Sequence, residues 1–271
     1  MGLKEHPRGA KKSLGQNFLL DPNLAQKIVS CLEIQPEEKV LEIGPGQGAL
    51  TKYLLSSPAR VLAVEKDLYL ALKLKKCYPY LDLIAADVLK MDWSRVDFAG
   101  IDKVIGNLPY NIASALIWDM VRVCSGITRM VFTVQKEVAQ RLTAAPGNRV
   151  YGALAVWVRN FASIKYEFTL GPQVFKPRPK VHSAVISISP CVARMDNILA
   201  AALSELIHDC FQQRRKQLKN LLKRYAACDI EHKLLCLGLM PTCRPEELSP
   251  EQFLDLARFL VQKKCLPRHE I

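Results

Sequence analysis

The chain has 271 residues, 49% of them hydrophobic and 24% charged, a balance ordinary for a soluble globular protein with a real core. No apolar run approaches the ~18 residues that a membrane span needs, and no apolar segment follows the basic N-terminus, so no secretory signal is visible and a cytoplasmic location is expected. Lys plus Arg outnumber Asp plus Glu by 38 to 26, a formal charge of +12; either this only aids solubility or the partner is a polyanion, and with no membrane segment the candidate is nucleic acid.

Residues 1–12 are polar and basic (Lys4, Arg8, Lys11, Lys12) and read as a mobile arm. Ser13–Leu20 is too short and too Gly-broken for a helix. It reads as a loop packing Phe18 and Leu19 on the core, or as one laying the amides of Gln16 and Asn17 over a ligand. Asp21 and Pro22 suit the N-cap and first position of a helix running to about Leu32. From residue 39 to about 134, apolar runs alternate with the amphipathic stretches 50–55, 68–76 and 114–123. That is the pattern of a parallel, doubly wound α/β sheet. Residues 135–142 and 151–160 look helical around a loop at 144–149. Residues 165–170 and 183–189 alternate at period two and read as closing strands, one of them antiparallel. Between them, Gly171–Val181 holds three prolines within eight residues, which should forbid both helix and ladder. The result is a stiff loop carrying Phe175, Lys176, Arg178 and Lys180, a plain connector or a contact surface.

After Pro190 the period turns helical at 197–209, 214–226, 230–237 and 249–263. A boundary near 190 therefore separates a domain of residues 1–190 from a small helical domain of residues 191–271. Phe211–Arg224 gathers six cations (Arg214, Arg215, Lys216, Lys219, Lys223 and Arg224) with no acid among them. A solvated helix face is one account; but like charges repel within a helix, which favours a surface facing phosphates. The nine cysteines form no C-x-x-C pair and the five histidines lack ligand spacing, so free thiols and no metal are expected.

Four strand ends carry the chemistry. Val40–Ile43 runs into Gly44-Pro45-Gly46-Gln47-Gly48, where backbone N–H groups and a helix start would face a nucleotide; a generic glycine turn is the alternative reading. Arg60–Val64 ends in Glu65, the position from which an acid reaches a ribose diol. Leu81–Ala86 ends in Asp87, and Asp102–Gly106 ends in Asn107-Leu108-Pro109-Tyr110. All four lie at the carboxyl edge of the sheet, where open α/β sheets bind ligands.

The Gly loop and two acids could hold S-adenosylmethionine as readily as NAD, and the fourth strand end decides. Asn107 offers an amide oxygen, Leu108 a carbonyl ahead of Pro109, and Tyr110 an aromatic face. An exocyclic amine on a planar base needs two acceptors for its N–H groups and a surface to stack on. Held between two acceptors, its lone pair localises toward a sulfonium methyl, so much of the rate is positioning, worth up to roughly 7–11 kcal/mol. No G-x-S-x-G elbow, Walker A lysine or H-E-x-x-H motif is present.

Gln16-Asn17-Phe18, Leu41–Gly48, Glu65, Asp87, Asn107–Ile112 and Phe175–Val181 together resemble the ribosomal RNA adenine N6-dimethyltransferase family, from about residue 13 to 225. The resemblance implies a Rossmann-like class I methyltransferase domain with a mostly parallel seven-stranded sheet, plus a small all-α C-terminal domain. It implies S-adenosylmethionine contacts from Gln16, Asn17, Leu19, Gly44, Gly46, Glu65 (ribose), Lys66, Asp87 (adenine amine), Val88 and Asn107. It places Asn107, Leu108 and Pro109 around the target amine, with Tyr110 and Phe175 stacking on the flipped base. RNA contacts are expected from Lys176, Arg178, Lys180, Arg214, Arg215, Lys216, Lys219 and Lys223. Phe211–Leu222 resembles the branch that dimethylates two adjacent adenines in the 3′-terminal hairpin of small-subunit (16S) rRNA. The expected partner is that RNA within a pre-30S particle, bound by a monomer. The chain departs from the pattern at Ala113, where relatives often carry serine, and in its cysteine-rich C-terminal domain. An NAD-dependent oxidoreductase would leave the Asn107–Tyr110 turn without a role. A non-catalytic assembly factor would need no cofactor pocket, and the macrolide-resistance branch, acting on large-subunit rRNA, is the alternative within the family.

Overall fold

The computed structural model describes residues 15–94, 100–124, 126–191 and 195–264; the arm expected over residues 1–12 lies outside them. Phe18–Leu19 form a short strand, β1. Helix α1 (Pro22–Ser30) starts as its sequence dictates, with extended Asp21 accepting from the N–H groups of Asn23 and Leu24 and Pro22 in the first turn, where no N–H is needed.

The alternating region folds as β2 (Lys39–Ile43), α2 (Thr51–Leu54), β3 (Arg60–Glu65), α3 (Leu68–Cys77), β4 (Asp82–Ala85), β5 (Lys103–Asn107), α4 (Ala113–Val123) and β6 (Arg129–Gln135). Strand β2 pairs in parallel with β3 on one side and β5 on the other, and β3–β4 and β5–β6 are parallel as well. Helix α5 (Lys136–Thr143), α6 (Ala153–Arg159), β7 (Ala162–Leu170), β8 (Phe175–Lys176) and β9 (Ser183–Pro190) follow. The sheet has seven strands in the order β4-β3-β2-β5-β6-β9-β7, with β9 antiparallel to β6. The expected α/β class and mostly parallel seven-stranded sheet are both present. The chain leaves β2 toward β3 and returns on the other side at β5. The carboxyl ends of β2 and β5 therefore flank the switch point where such sheets open a crevice.

The expectation that prolines exclude any ladder from residues 171–181 does not hold. Phe175 and Lys176 form β8, antiparallel to β1, with Phe18 opposite Lys176 and Leu19 opposite Phe175. Both residues keep a backbone N–H, and the three prolines fall outside the pair. The Leu20 N–H extends the contact to Val174 O at 2.8 Å. The segment also makes one 3-10 turn at Pro172–Val174.

The chain divides into two compact units, one of residues 1–139 with 165–189 and one of residues 140–164 with 190–271. The units change at 139/140, 164/165 and 189/190, and residues 140–164, which the sequence reading puts before the boundary near 190, pack with the helices. Tyr151 is fully buried there, donating to Leu248 O at 2.9 Å, and its ring meets Phe211 edge-on at 6.3 Å between centroids. Asn160 Nδ2 donates to Pro250 O at 3.0 Å. Helix α6 buries five consecutive residues, Leu154–Val158, and a helix apolar all round has to be enclosed.

The helical unit also contains α7 (Asn197–Gln212), α8 (Leu218–Leu221), α9 (Ile230–Cys236) and α10 (Pro250–Gln262). Ser249 and Gln252 close a reciprocal capping box at the start of α10. The single helix expected over 214–226 is broken. Gln217 is extended, α8 lasts one turn, and a 3-10 segment, Leu222–Cys228, follows with a kink at Tyr225. The N–H groups of Leu218 and Lys219 are taken by Cys243 O and Pro241 O at 2.8 and 3.0 Å, so tertiary partners displace the helix's own preceding turn. Cys228 is disulfide-bonded, against the expectation of free thiols; the other described cysteines are free.

Candidate active site

The loop after β2 brings backbone close to the crevice. Gly44, Gly46 and Gly48 have φ of +65°, +58° and +85°, a region that side chains disfavour. A Cβ on Gly44 would meet nothing within 4 Å, so this glycine borders open cavity. A Cβ on Gly46 would lie 3.1 Å from the Phe18 ring, and one on Gly48 2.9 Å from Leu74 Cδ1. The three glycines thus serve three needs: open space, an aromatic wall and helix packing.

Two strand-end acids frame the cavity. Glu65, 6% exposed, accepts from the N–H groups of Gly46 and Asp67 at 3.0 and 2.8 Å, tying the Gly loop to the end of β3. Burial pushes its carboxyl up, against those two bonds. Asp87 pairs with Lys66 at 2.9 Å and accepts from Leu89 N, and the Lys66 bond holds its carboxyl below the usual range. The cofactor candidates Gln16, Asn17, Leu19, Lys66 and Val88 also line this cavity.

A further acid, Glu42, lies outside the strand ends singled out in the sequence. It is 1% exposed on β2, accepts from Thr51 Oγ1 at 2.7 Å and borders the cavity. Burial, partly offset by the Thr51 bond, pushes its carboxyl up to about 7. The signal for it is a lone acid inside an apolar strand just before the Gly loop.

Asn107, at the end of β5, donates Nδ2 to Asn17 O at 2.8 Å. A carbonyl can only accept, so the amide nitrogen must face Asn17, which leaves Oδ1 as the free acceptor. Leu108 is buried and donates its N–H to Thr133 O at 3.1 Å. Among the described residues no backbone N–H bonds the Leu108 carbonyl. Pro109 O accepts from Ile112 N at 3.1 Å, closing the turn. Tyr110 lines the cavity half-buried, its hydroxyl 2.6 Å from Ser183 Oγ.

Phe175 is not brought to the cavity. It is 3% exposed and packs in the core with Leu19, Leu170 and Val185. Pairing with β1 turns the ring inward, since Leu19 and Phe175 are register partners. The second aromatic on the cavity wall is Phe18, which the sequence alone places in a loop packed on the core.

Lys176, Arg178 and Lys180 are exposed. In the helical unit, Arg215, Lys216, Lys219 and Lys223 are exposed, and no acid pairs with them among the described residues. Arg214 differs: its guanidinium pairs with Glu246 and donates to Arg149 O at 2.9 Å. Arg224 likewise pairs with Glu205 and with Asp209. Acids distant in sequence neutralise two of the six cations in Phe211–Arg224.

The parallel sheet with its switch-point crevice, Gly loop and strand-end acids defines a class I S-adenosylmethionine-dependent methyltransferase. The residues fit that cofactor: open space at Gly44, a buried carboxylate at Glu42 and acids closing two strand ends. Residues 8–262 match the family described as "Ribosomal RNA adenine dimethylase". The chain belongs to the ribosomal RNA adenine dimethylase family and is an rRNA adenine dimethyltransferase. It is 46% identical over 255 residues to the "Ribosomal RNA small subunit methyltransferase A" of Nitratidesulfovibrio vulgaris, covering 92% of this chain and 96% of that one. The protein of the same name from Lawsonia intracellularis is 40% identical over 264 residues, covering 95% and 97%. Among solved structures, a dimethyladenosine transferase from Plasmodium falciparum superposes with a TM-score of 0.78 at 25% identity, over 91% of this chain and 98% of that one. The 23S rRNA methyltransferase ErmE gives 0.70 at 26% identity, over 91% and 100%.

Proposed function

We propose that this protein dimethylates the N6 amines of two adjacent adenines in the 3′-terminal hairpin of small-subunit rRNA, acting as a monomer on a pre-30S particle in the cytoplasm. The observation that carries the chemistry is the anchored amide of Asn107, whose Nδ2 is bound to Asn17 O and whose Oδ1 is left to accept. The names of the 40–46% identical relatives support the small-subunit branch over the large-subunit one. No described helix is long and apolar enough to cross a membrane.

When bound, S-adenosylmethionine supplies an electrophilic methyl group on a sulfonium. Gln16, Asn17, Gly44, Glu65 and Asp87 would hold the cofactor, Glu65 from the ribose side and Asp87 from the adenine side. Asn107 Oδ1 and the Leu108 carbonyl accept the two N–H groups of the target amine and draw its lone pair out of ring conjugation. Tyr110 stacks on the flipped base. With the amine so held by Asn107 and Leu108, its nitrogen would be placed to receive the cofactor's methyl group, and the amine's proton would leave to water. Lys176, Arg178 and Lys180, with Arg215, Lys216, Lys219 and Lys223 of the helical unit, contact RNA phosphates.

The test is transfer of labelled methyl from S-adenosylmethionine to small subunits lacking this modification, followed by identification of the labelled nucleoside. N6,N6-dimethyladenosine in the 3′-terminal hairpin is the expected product. Label on large-subunit RNA would overturn the branch assignment. Tight binding without any label would make the protein an assembly factor.

A further inference from the structure

Ser183 has no assigned role, yet it is fully buried and its Oγ lies 2.6 Å from the Tyr110 hydroxyl. It is the first residue of β9, where the loop carrying Lys176, Arg178 and Lys180 re-enters the sheet. The strand is held there by its pairing with Gln135 of β6 and, one residue earlier, by His182 O accepting from Lys136 N at 2.9 Å. Tyr110 sits on a turn, with its ring half-buried on the cavity wall. A half-buried ring on a turn is otherwise free to change rotamer. A hydrogen bond at the far end of the phenol anchors the ring at both ends, to the turn through Cβ and to the sheet through the hydroxyl.

We infer that Ser183 is a positioning residue for base stacking: its hydroxyl pins the Tyr110 phenol and so fixes where the ring meets the flipped adenine. The inference rests on the stacking role proposed for Tyr110. Ser183 also ends the cationic loop, so the grip on phosphate and the place of the stacking ring share one buried anchor.

The two methyl transfers do not depend equally on this anchor. The unmodified amine has two N–H groups for Asn107 Oδ1 and the Leu108 carbonyl. After the first transfer only one N–H remains, so stacking carries a larger share of the positioning. Loss of the Ser183–Tyr110 bond should therefore slow the second transfer more than the first. A merely structural serine would slow both alike.

The experiment compares Ser183→Ala, Tyr110→Phe, the double variant and Tyr110→Ala in the full-length chain on unmodified small subunits. It reads the ratio of N6-methyladenosine to N6,N6-dimethyladenosine and the dissociation constant of S-adenosylmethionine. A second readout, independent of turnover, is quenching of 2-aminopurine placed at the target position of a hairpin RNA. That base lacks the 6-amine and so reports stacking without the Asn107 contact. Ser183→Ala and Tyr110→Phe should each slow the second transfer about three- to tenfold, the range of one net hydrogen bond. Each should accumulate the monomethyl product and weaken quenching at unchanged cofactor affinity, and the double variant should be no worse than either single. Additive effects, equal slowing of both transfers, or no change would overturn the inference. Should Ser183→Ala fail to fold, Tyr110→Phe carries the same test alone. Tyr110→Ala separates the two readings: if it leaves quenching and products unchanged, the stacking role itself falls, whereas an effect of Tyr110→Ala without one of Tyr110→Phe removes only the Ser183 anchor.

Discussion

Replacing Asn107 with alanine removes two interactions that different measurements report. The first exists in the free protein: Nδ2 donates to Asn17 O at 2.8 Å. A neutral bond of this kind contributes about 0.5–1.5 kcal/mol net, and about 1 kcal/mol moves the midpoint of a 150–250-residue protein by ~2–4 °C. The second is the contact proposed for Oδ1, which would form only with substrate. The amine nitrogen gains positive charge as it attacks, so its bond to Oδ1 becomes charge-assisted, about 1.5–3 kcal/mol. At about 1.36 kcal/mol per decade, kcat should fall roughly 10- to 150-fold. Thermal unfolding checks the first number and single-turnover methyl transfer the second, with RNA affinity by filter binding as the control. Asn107→Asp keeps an acceptor but sets an oxygen against the Asn17 carbonyl, so its loss of Tm should be at least that of alanine. A kcat within about twofold of wild type, or a loss confined to RNA affinity, would refute the assignment.

Glu42 makes folding and cofactor binding depend on pH. The folded state keeps its proton up to about 7, while the unfolded chain releases it near 4.5. Its contribution to stability is thus present below 4.5 and lost as pH rises to 7, on the order of 3 kcal/mol. Glu42→Gln still accepts from Thr51 and should flatten urea-unfolding stability across that window; equal slopes in the two proteins would refute this. Because S-adenosylmethionine is cationic, its affinity should tighten between about pH 6 and 8, and calorimetry should find that dependence absent in Glu42→Gln. Gly44→Ala should cost about 1–2 kcal/mol of stability from its positive φ and raise the cofactor dissociation constant about tenfold or more, since the Cβ enters the cavity. Lower stability with unchanged cofactor affinity would leave that glycine only a backbone role. Charge reversal of Arg215, Lys216 and Lys219 should weaken RNA binding and reduce the salt slope by about 0.7–0.9 for each phosphate no longer neutralised. Arg214→Ala should instead lower Tm with little change in slope, because Glu246 holds that guanidinium; the opposite pattern would place Arg214 on the RNA.

The strands of the parallel region, the Gly loop, Glu65, Asp87 and the Asn107–Tyr110 turn are legible in the sequence because each depends on local signals: apolar runs, glycine at a turn, an acid or amide at a strand end. So is the cap of α1. What tertiary structure alone decided are matters of partner. The β1–β8 pair joins residues more than 150 positions apart, and no local propensity encodes such pairing. That pair turns Phe175 into the core and leaves Phe18 on the cavity wall. Distant carbonyls at Pro241 and Cys243 break the helix that periodicity implied over 214–226. Distant acids quench Arg214 and Arg224 and leave Arg215, Lys216, Lys219 and Lys223 exposed. Residues 140–164 join the helical unit because Tyr151 and Trp157 find enclosure there. Burial and partner choice are properties of the assembled fold: hydropathy tells a side chain to leave water, but only the packed neighbours determine which surface it meets.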